Sequence, residues 1–542
     1  MRTRSSLKFA SYGDGFRPDR PRTRHLGKQH LTVSKKDEQV DRFANGAAHR
    51  HQVTFWSIIA EKSTFGLRGG GAIEPPRTGV AGRQPFRISE GLYLMYMPTR
   101  LLLLLTLSGT TFCGLAAAEK HKRVKYEPTW ESLDQHETPK WLMDAKFGLF
   151  IYAPPPSDRQ WMAWQRRVGE TPRSWDRADS MDKVDWNVDH VLDEVQAAGA
   201  RYVVVAGDER SYFLLWPSEF ADIEGSKFTT LGPNQKDWLG EFSRKARKRG
   251  LRFGIYRNYL HPGKNPYFLK TMAEMIDRYQ PDTLWLDEDA HKHSADDLRS
   301  RELAAYYYNH SKKQNEVALE DSLGHYKHKL DTFGKRLLHG DWFRKEISPP
   351  HDDIADGYFV RYEPMYRWRT RTPRGHEHSG GMVNNLIEWL VDSVAKNGNL
   401  ELATHAGPQH VADLQRRTLQ QIGLWLEVNG EAIFETRPWH DGVPQAVSKE
   451  GFHARFTTKD DSLYVTLFDW PHPQATFARL ATQEGTTIQM LGVPGAVRWE
   501  QSPAGLVLGR PHGGGAEGDV TEIPCDHAFC YKITPRPAWK KK

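Results

Sequence analysis

Residues 251–287 read LRFGIYRNYLHPGKNPYFLKTMAEMIDRYQPDTLWLD, and how that stretch divides decides the fold. LRFGIY (251–256) is a short apolar run bounded by turn formers, the pattern of a buried strand. YFLKTMAEMIDRYQ (267–280) repeats apolar residues at intervals of three and four, as an amphipathic helix does. DTLWLD (282–287) is a second buried run. Strand, helix and strand in so few residues form a βαβ unit, which demands a parallel sheet with helices on its faces.

The same alternation continues on both sides. KFGLFIY (146–152) reads as a strand; Val188, Val191, Leu192 and Val195 then mark a helix that Gly199 can end. ARYVVVA (200–206) is a strand and KDWLGEFSRKARKRG (236–250) a helix. Further on, DDLRSRELAAYYYNH precedes EVALE, and MVNNLIEWLVDSVAKNG precedes NLELA. The number of units favours closure, so the expected fold is a (β/α)8-like TIM barrel over residues 128–440. Residues 320–380, rich in His, Arg and Pro, read as long loops on its top. After VNGEAIFETRPW (428–439) the period changes to two: HARFTT, SLYVTLF, TIQMLG, AVRWE and GLVLG alternate with turn residues. That predicts a smaller C-terminal antiparallel β-sandwich over 445–535.

A chain of 542 residues has room for both domains. The net charge of +7 is concentrated in the first part of the chain, in runs such as RPDRPRTRH and EKHKRVK, so no nucleic-acid partner is expected. Residues 97–118, MPTRLLLLLTLSGTTFCGLAAA, have the composition of a secretory signal: basic Arg100, an apolar stretch, then Ala116, Ala117 and Ala118 as a cleavage site. Translation is therefore expected to begin near Met95 or Met97, with residues 1–96 a mispredicted or disordered leader. The apolar run falls short of the roughly 20 residues a spanning helix needs. A secreted or periplasmic product without a stable membrane span follows. Cys113 leaves with the signal; Cys525 and Cys530 remain, as ordinary or bridged thiols rather than a metal site, since two Cys and His527 are too few for structural zinc. The HKH at 291–293 and HEH at 376–378 read as solvated loop residues, and no metal or other cofactor is expected.

In a barrel, functional groups sit at the C-terminal ends of the strands. That rule gathers Tyr152, Asp208, Glu209, Arg210, Arg257, Asn258, Tyr259, Asp287, Glu320, Asp321 and His405 at one mouth. An acidic cluster after TLWL can simply cap the next helix. A mouth rich in carboxylates and aromatic side chains, in a chain with eighteen Trp, also fits glycoside hydrolysis, which needs one carboxylate to attack and another to protonate the leaving oxygen. Asp287, the first polar residue after TLWL, is the best-placed nucleophile.

The chain resembles glycoside hydrolase family 29, the α-L-fucosidases. KFGLFI, LLWPSEF, KRGLRFGIY and LWLDED carry the resemblance, and VDSVAKNGNLELATHAGP followed by IGLWLEVNGEAIFETRPW is its most specific part. It implies a retaining enzyme acting on fucosylated or related glycans. The family nucleophile closes the LW-x-D strand and falls on Asp287. The acid/base, a Glu after Trp in some members, has its counterpart in Tyr362-Glu363, with Glu346 in HGDWFRKE and Glu320 in ALEDS as rivals.

Several sugar-contacting positions depart from the family pattern. Tyr152 and Ala153 stand where members have His and Trp, and Glu209 and Arg210 replace paired histidines. Arg257 replaces a tyrosine, and Ser322 falls where members have an Arg. Trp161 lies near a substrate-contacting segment. The expected substrate contacts are thus Tyr152, Trp161, Glu209, Arg210 and Arg257. The replacements leave open a different, acidic or sulfated sugar held by Arg210 and Arg257, or a noncatalytic carbohydrate-binding relative.

Overall fold

The computed structural model describes residues 123–541 except 153–186, 209–212, 227, 231–234, 260–264, 289–292, 325–338, 347–351, 366–381, 406–412, 496 and 512–522. Eight parallel strands form its first sheet: β1 (Phe147–Tyr152), β2 (Tyr202–Ala206), β3 (Arg252–Tyr259), β4 (Thr283–Glu288), β5 (Ala318–Leu319), β6 (Phe343–Glu346), β7 (Phe359–Pro364) and β8 (Gly398–His405). Their order, β5-β4-β3-β2-β1-β8-β7-β6, is a ring cut between β5 and β6. A parallel bridge between Glu320 and Trp342 spans that cut. Around it Asp341 N donates to Leu319 O at 2.8 Å and Asp321 N to Trp342 O at 3.0 Å. Backbone groups that would otherwise be exposed edges are thereby paired, the gain that closure brings.

Strand alternation sorts the residues into two layers. In β2, Val203 and Val205 join the core under the helices, while Tyr202, Val204 and Ala206 fill the lumen with Phe150, Tyr256, Trp285, Trp342, Val360 and Tyr362. Gly148 is required by this filling, because a Cβ there would lie 2.2 Å from the Tyr202 ring.

The helices around the barrel include α1 (Val188–Ala197), α2 (Trp238–Lys248), α3 (Phe268–Tyr279), α4 (Ser300–His310), α5 (Met382–Ala395) and α6 (Asp413–Asn429). Their starts are set by the residues that precede them: Asn187 accepts from His190 N at 3.1 Å and Asp237 from Gly240 N at 2.8 Å. On α3, Phe268, Met272, Met275, Ile276 and Tyr279 are buried, a stripe of helical period facing the sheet.

Residues 320–380 are not loops alone, as the sequence reading had it: β6 and β7 lie there. The outward sides of these strands carry charge in place of the apolar residues that mark other strands. Lys345, Arg361 and Glu363 are all buried.

The C-terminal region holds two facing antiparallel sheets. One runs β10 (Gln445–Val447), β11 (His453–Lys459), β12 (Ser462–Leu467), β18 (Phe529–Thr534), β15 (Thr487–Met490), with β9 (Arg437–Pro438) beside β11. The other runs β13 (Ala475–Phe477), β17 (Gly505–Pro511), β16 (Val497–Ser502), and β14 (Leu480–Ala481) pairs with β19 (Ala538–Trp539). Between the sheets pack Phe456, Leu463, Val465, Phe477, Leu506, Leu508 and Tyr531. Asp460, at φ 50°, turns the chain in the two-residue hairpin between β11 and β12. The opposite face of the larger sheet rests on the barrel helices: Arg455 Nε donates to Asp392 Oδ1 at 2.6 Å and Trp425 Nε1 to Ala528 O at 2.8 Å. Cys530 sits in β18, and both it and Cys525 are free thiols.

Candidate active site

Asp287 lies at the C-terminal end of β4. Leu284 and Leu286 belong to the core under the helices and Trp285 to the lumen, so alternation turns Asp287 to the lumen side above Trp285. Its side chain is 27 % exposed, which leaves it open to the mouth. Two neighbours orient it. The Tyr256 hydroxyl on β3 donates to Oδ2 at 3.0 Å, and Arg344 Nη1 on β6 lies 2.9 Å from Oδ1. Burial first, and then the Asp287 charge, hold the Tyr256 phenol far above its ordinary range, so it remains a donor. A donor on one oxygen and a guanidinium on the other suit an ionised, aligned carboxylate.

Beneath Asp287 the lumen is closed by aromatic rings. Trp285 meets Phe150 at 4.8 Å, Tyr362 at 5.0 Å and Tyr256 at 5.5 Å between centroids, all edge-on. The Arg344 guanidinium stands 5.4 Å from the Trp285 ring centre. Tyr152, at the end of β1, accepts a hydrogen bond of 2.9 Å from the Tyr362 hydroxyl, which puts it on the rim of the same opening.

Two further carboxyls occupy the lumen. Glu320, just past β5, is fully buried; Ser322 Oγ donates to its Oε1 at 2.8 Å, and Arg344 Nε stands 3.7 Å from the same oxygen. Burial pushes this carboxyl up to about 7 against the pull of Arg344 and Ser322, with the charge of Asp287 adding to the rise. Glu401, on β8 opposite Gly148 and Tyr362, is raised further by burial, to about 8. The Tyr202 hydroxyl beside it opposes that rise, and the charge of Glu320 adds to it.

Two expected site residues face elsewhere. Glu363 follows Tyr362 on β7, so when Tyr362 points into the lumen Glu363 points to the helices. There it pairs with Arg361 at 2.7 Å, and the Arg361 guanidinium lies 3.2 Å from the Trp389 ring centre on α5. It does not meet Asp287. Arg257 follows the lumen-facing Tyr256 and is likewise turned outward. It is fully buried, with its Nε 3.0 Å from Asp208 Oδ2 and its guanidinium about the rings of Trp216, Phe228 and Phe268. In that environment Arg257 is a buried cation paired with Asp208 and turned away from the lumen.

Trp161, Glu209 and Arg210 lie outside the described residues, as do His291, Lys292 and residues 376–378. The side chains of Glu288, Glu346 and His405 are outside them too. Among the described residues no three metal-ligating side chains come together. Arg344 and Tyr256 were absent from the residues expected at the mouth. The available signal was Trp342-Phe343-Arg344, in which a large lumen residue predicts the direction of its second neighbour.

The family profile described as Alpha-L-fucosidase matches residues 113–431. Tissue alpha-L-fucosidase of Rattus norvegicus is 29 % identical over 433 residues, covering 71 % of this chain and 88 % of its own. The tissue alpha-L-fucosidase of Homo sapiens is 28 % identical over 469 residues, covering 78 % of this chain and 95 % of its own. Among solved structures, the alpha-fucosidase of Thermotoga maritima in complex with fucose superposes with a TM-score of 0.56 at 23 % identity, over 75 % of this chain and 99 % of that one.

Proposed function

The chain belongs to the α-L-fucosidase family of glycoside hydrolases, and we propose that it removes terminal α-L-fucose from glycans by double displacement with Asp287 as nucleophile. The observation that carries this reading is the setting of Asp287: strand-end, open to the mouth, and aligned by Tyr256 and Arg344 over an aromatic floor. Asp287 attacks the anomeric carbon and forms a glycosyl ester as the leaving oxygen takes a proton; water then cleaves the ester with the conjugate base.

The proton donor must reach the glycosidic oxygen. Glu363 is committed to Arg361 on the far side of β7, and Glu320 is sealed below the mouth. Of the candidates, Glu346 remains, the last residue of β6, paired in register with Tyr362. We assign it the acid/base role. The acidic-sugar alternative drew on Arg210 and Arg257; with Arg257 held by Asp208, fucose is the better-supported substrate. The composition of residues 97–118 supports export. Among the described residues no helix is long and apolar enough to cross a membrane.

A panel of aryl glycosides tests the reading. The α-L-fucoside is the best substrate and its turnover vanishes in Asp287→Ala; preference for another sugar, or turnover retained by that variant, contradicts it.

A further inference from the structure

One guanidinium serves two carboxyls in this lumen. Arg344 Nη1 lies 2.9 Å from Asp287 Oδ1, and its Nε lies 3.7 Å from Glu320 Oε1. The Nη1 contact has hydrogen-bond length, whereas the Nε contact is too long to be one. The arginine is thus committed to the mouth and only leans toward the buried group. Glu320 is fully enclosed, so it cannot touch substrate, yet it lies next to the cation that orients the nucleophile. Register explains the closeness. Leu284 pairs with Leu319, which sets Glu320 level with Trp285, one pleat below Asp287. The bridge between Glu320 and Trp342 brings β6 alongside, and Arg344, two residues beyond Trp342, rises past both.

We propose that Glu320 is a positioning residue for glycoside cleavage: held as a neutral acid it leaves Arg344 to Asp287, and once ionised it draws Arg344 down and releases the nucleophile. The proposal rests on Asp287 being the nucleophile. A second carboxylate beneath the guanidinium competes for the same positive charge, and with Glu320 buried that competition is little screened. Closing a gap of 3.7 Å to hydrogen-bond length takes a small side-chain motion. Loss of the Arg344 contact takes the guanidinium from Asp287 Oδ1, while Tyr256 donates to Oδ2.

The groups facing Glu320 determine where the change falls. Asp287 on β4 and Glu401 on β8 oppose its ionisation; Arg344 on β6 and the Ser322 hydroxyl after β5 favour it; Tyr256 on β3 reaches it through Asp287. Burial is the largest influence, and the balance lies near neutrality. Ser322 has a defined part here. It stands where the resemblance expects an arginine, and its hydroxyl hydrogen-bonds Glu320 at 2.8 Å while Arg344 supplies the guanidinium beside Asp287.

The test is the pH dependence of kcat on an aryl α-L-fucoside from pH 5 to 9, for the wild type, Glu320→Gln, Ser322→Ala and Glu401→Gln. The wild type is expected to lose about tenfold per pH unit above an alkaline limb near neutrality. Glu320→Gln, permanently neutral, keeps kcat within about threefold of the wild type at pH 5.5 and loses this limb, any fall that is left at higher pH being the separate ionisation of the acid/base. Ser322→Ala removes a hydrogen bond to the ionised form, so its limb moves to higher pH at an unchanged plateau, and this variant decides the matter if Glu320→Gln fails to fold. Glu401→Gln keeps a limb.

A wild type level to pH 9, a limb unmoved in Glu320→Gln or Ser322→Ala, or a limb lost only in Glu401→Gln overturns the proposal. So does a Glu320→Gln enzyme depressed more than a hundredfold at every pH and restored by azide, the behaviour of a direct proton donor. Failure of the reading beneath it looks different: the wild type does not turn over the fucoside, or Asp287→Ala does.

Discussion

Arg361 and Glu363, two residues apart on β7, form an ion pair through both Nη2 at 2.7 Å and Nε at 2.8 Å, on the face turned away from Asp287. Both side chains are buried. Removing one member of such a pair strands the charge of the other, which costs about 3 kcal/mol or more. Glu363→Gln is therefore a stability variant: its melting temperature falls by roughly 3 °C or more, while kcat per folded molecule stays within about threefold of the wild type. Calorimetry beside active-site-titrated kinetics checks this. An unchanged melting temperature with kcat down a hundredfold would return Glu363 to the chemistry.

Arg344 and Tyr256 hold the two oxygens of Asp287. Preorganised donors of this kind are worth about 10²-fold to 10³-fold in rate when removed. Arg344→Met is expected to lower kcat by about that much, and Tyr256→Phe by about tenfold, with smaller changes in KM. A variant that raises KM alone shows a residue that binds substrate without aligning the nucleophile.

Glu401 sets a pH dependence of stability. Its folded-state value, raised to about 8 by burial, means the native protein holds a proton there that the unfolded chain releases above about pH 4.3. Between those values the native state binds more protons, so this group lowers stability as pH rises toward 8. Glu401→Gln removes the effect. Its melting temperature gains on the wild type at pH 8 and changes little at pH 5; a gain confined to pH 5 contradicts the burial account.

His136, in a buried seam, also loses stability to rising pH, here because a favourable charge is given up. Its Nδ1 lies 2.7 Å from Asp341 Oδ1 and its Nε2 2.9 Å from Gln314 O, two acceptors that only the imidazolium can serve together. Burial opposes the charge, but the hydrogen bond and charge of Asp341 prevail, and the net shift is upward. The same Asp341 accepts from Leu319 N at 2.8 Å, beside the closure of β5 on β6. The stabilisation is complete below about pH 6.5, the unfolded value, and is lost as pH rises through the raised folded value. His136→Ala should lower the urea midpoint more at pH 5.5 than at pH 9. An equal loss at both means packing alone is at stake.

The βαβ frame and Asp287 were legible because β1 to β4 bury apolar runs on both faces and β4 breaks sharply into acid. β5 falls within EVALE, but β6 and β7 were hard to read for a physical reason. β6 has four residues, and the helix side of both strands is ionic: burial and Arg361 push Lys345 down to about 6, while against its burial Asp392 is held near 2 by Lys396 and Arg455. A search for apolar period cannot see strands whose buried face is charged. The direction of Glu363 and Arg257 was available from alternation, since Tyr362 and Tyr256 are the large residues that fill the lumen. Strand-end position alone admitted both faces.

The most direct test of the account is covalent trapping with 2-fluoro-α-L-fucosyl fluoride, whose electron-withdrawing fluorine slows breakdown of the glycosyl ester. Peptide mapping after inactivation should place one fluorofucosyl group on the fragment carrying Asp287, with none formed in Asp287→Ala. A label on another carboxylate, or turnover of the fucoside without Asp287, contradicts it.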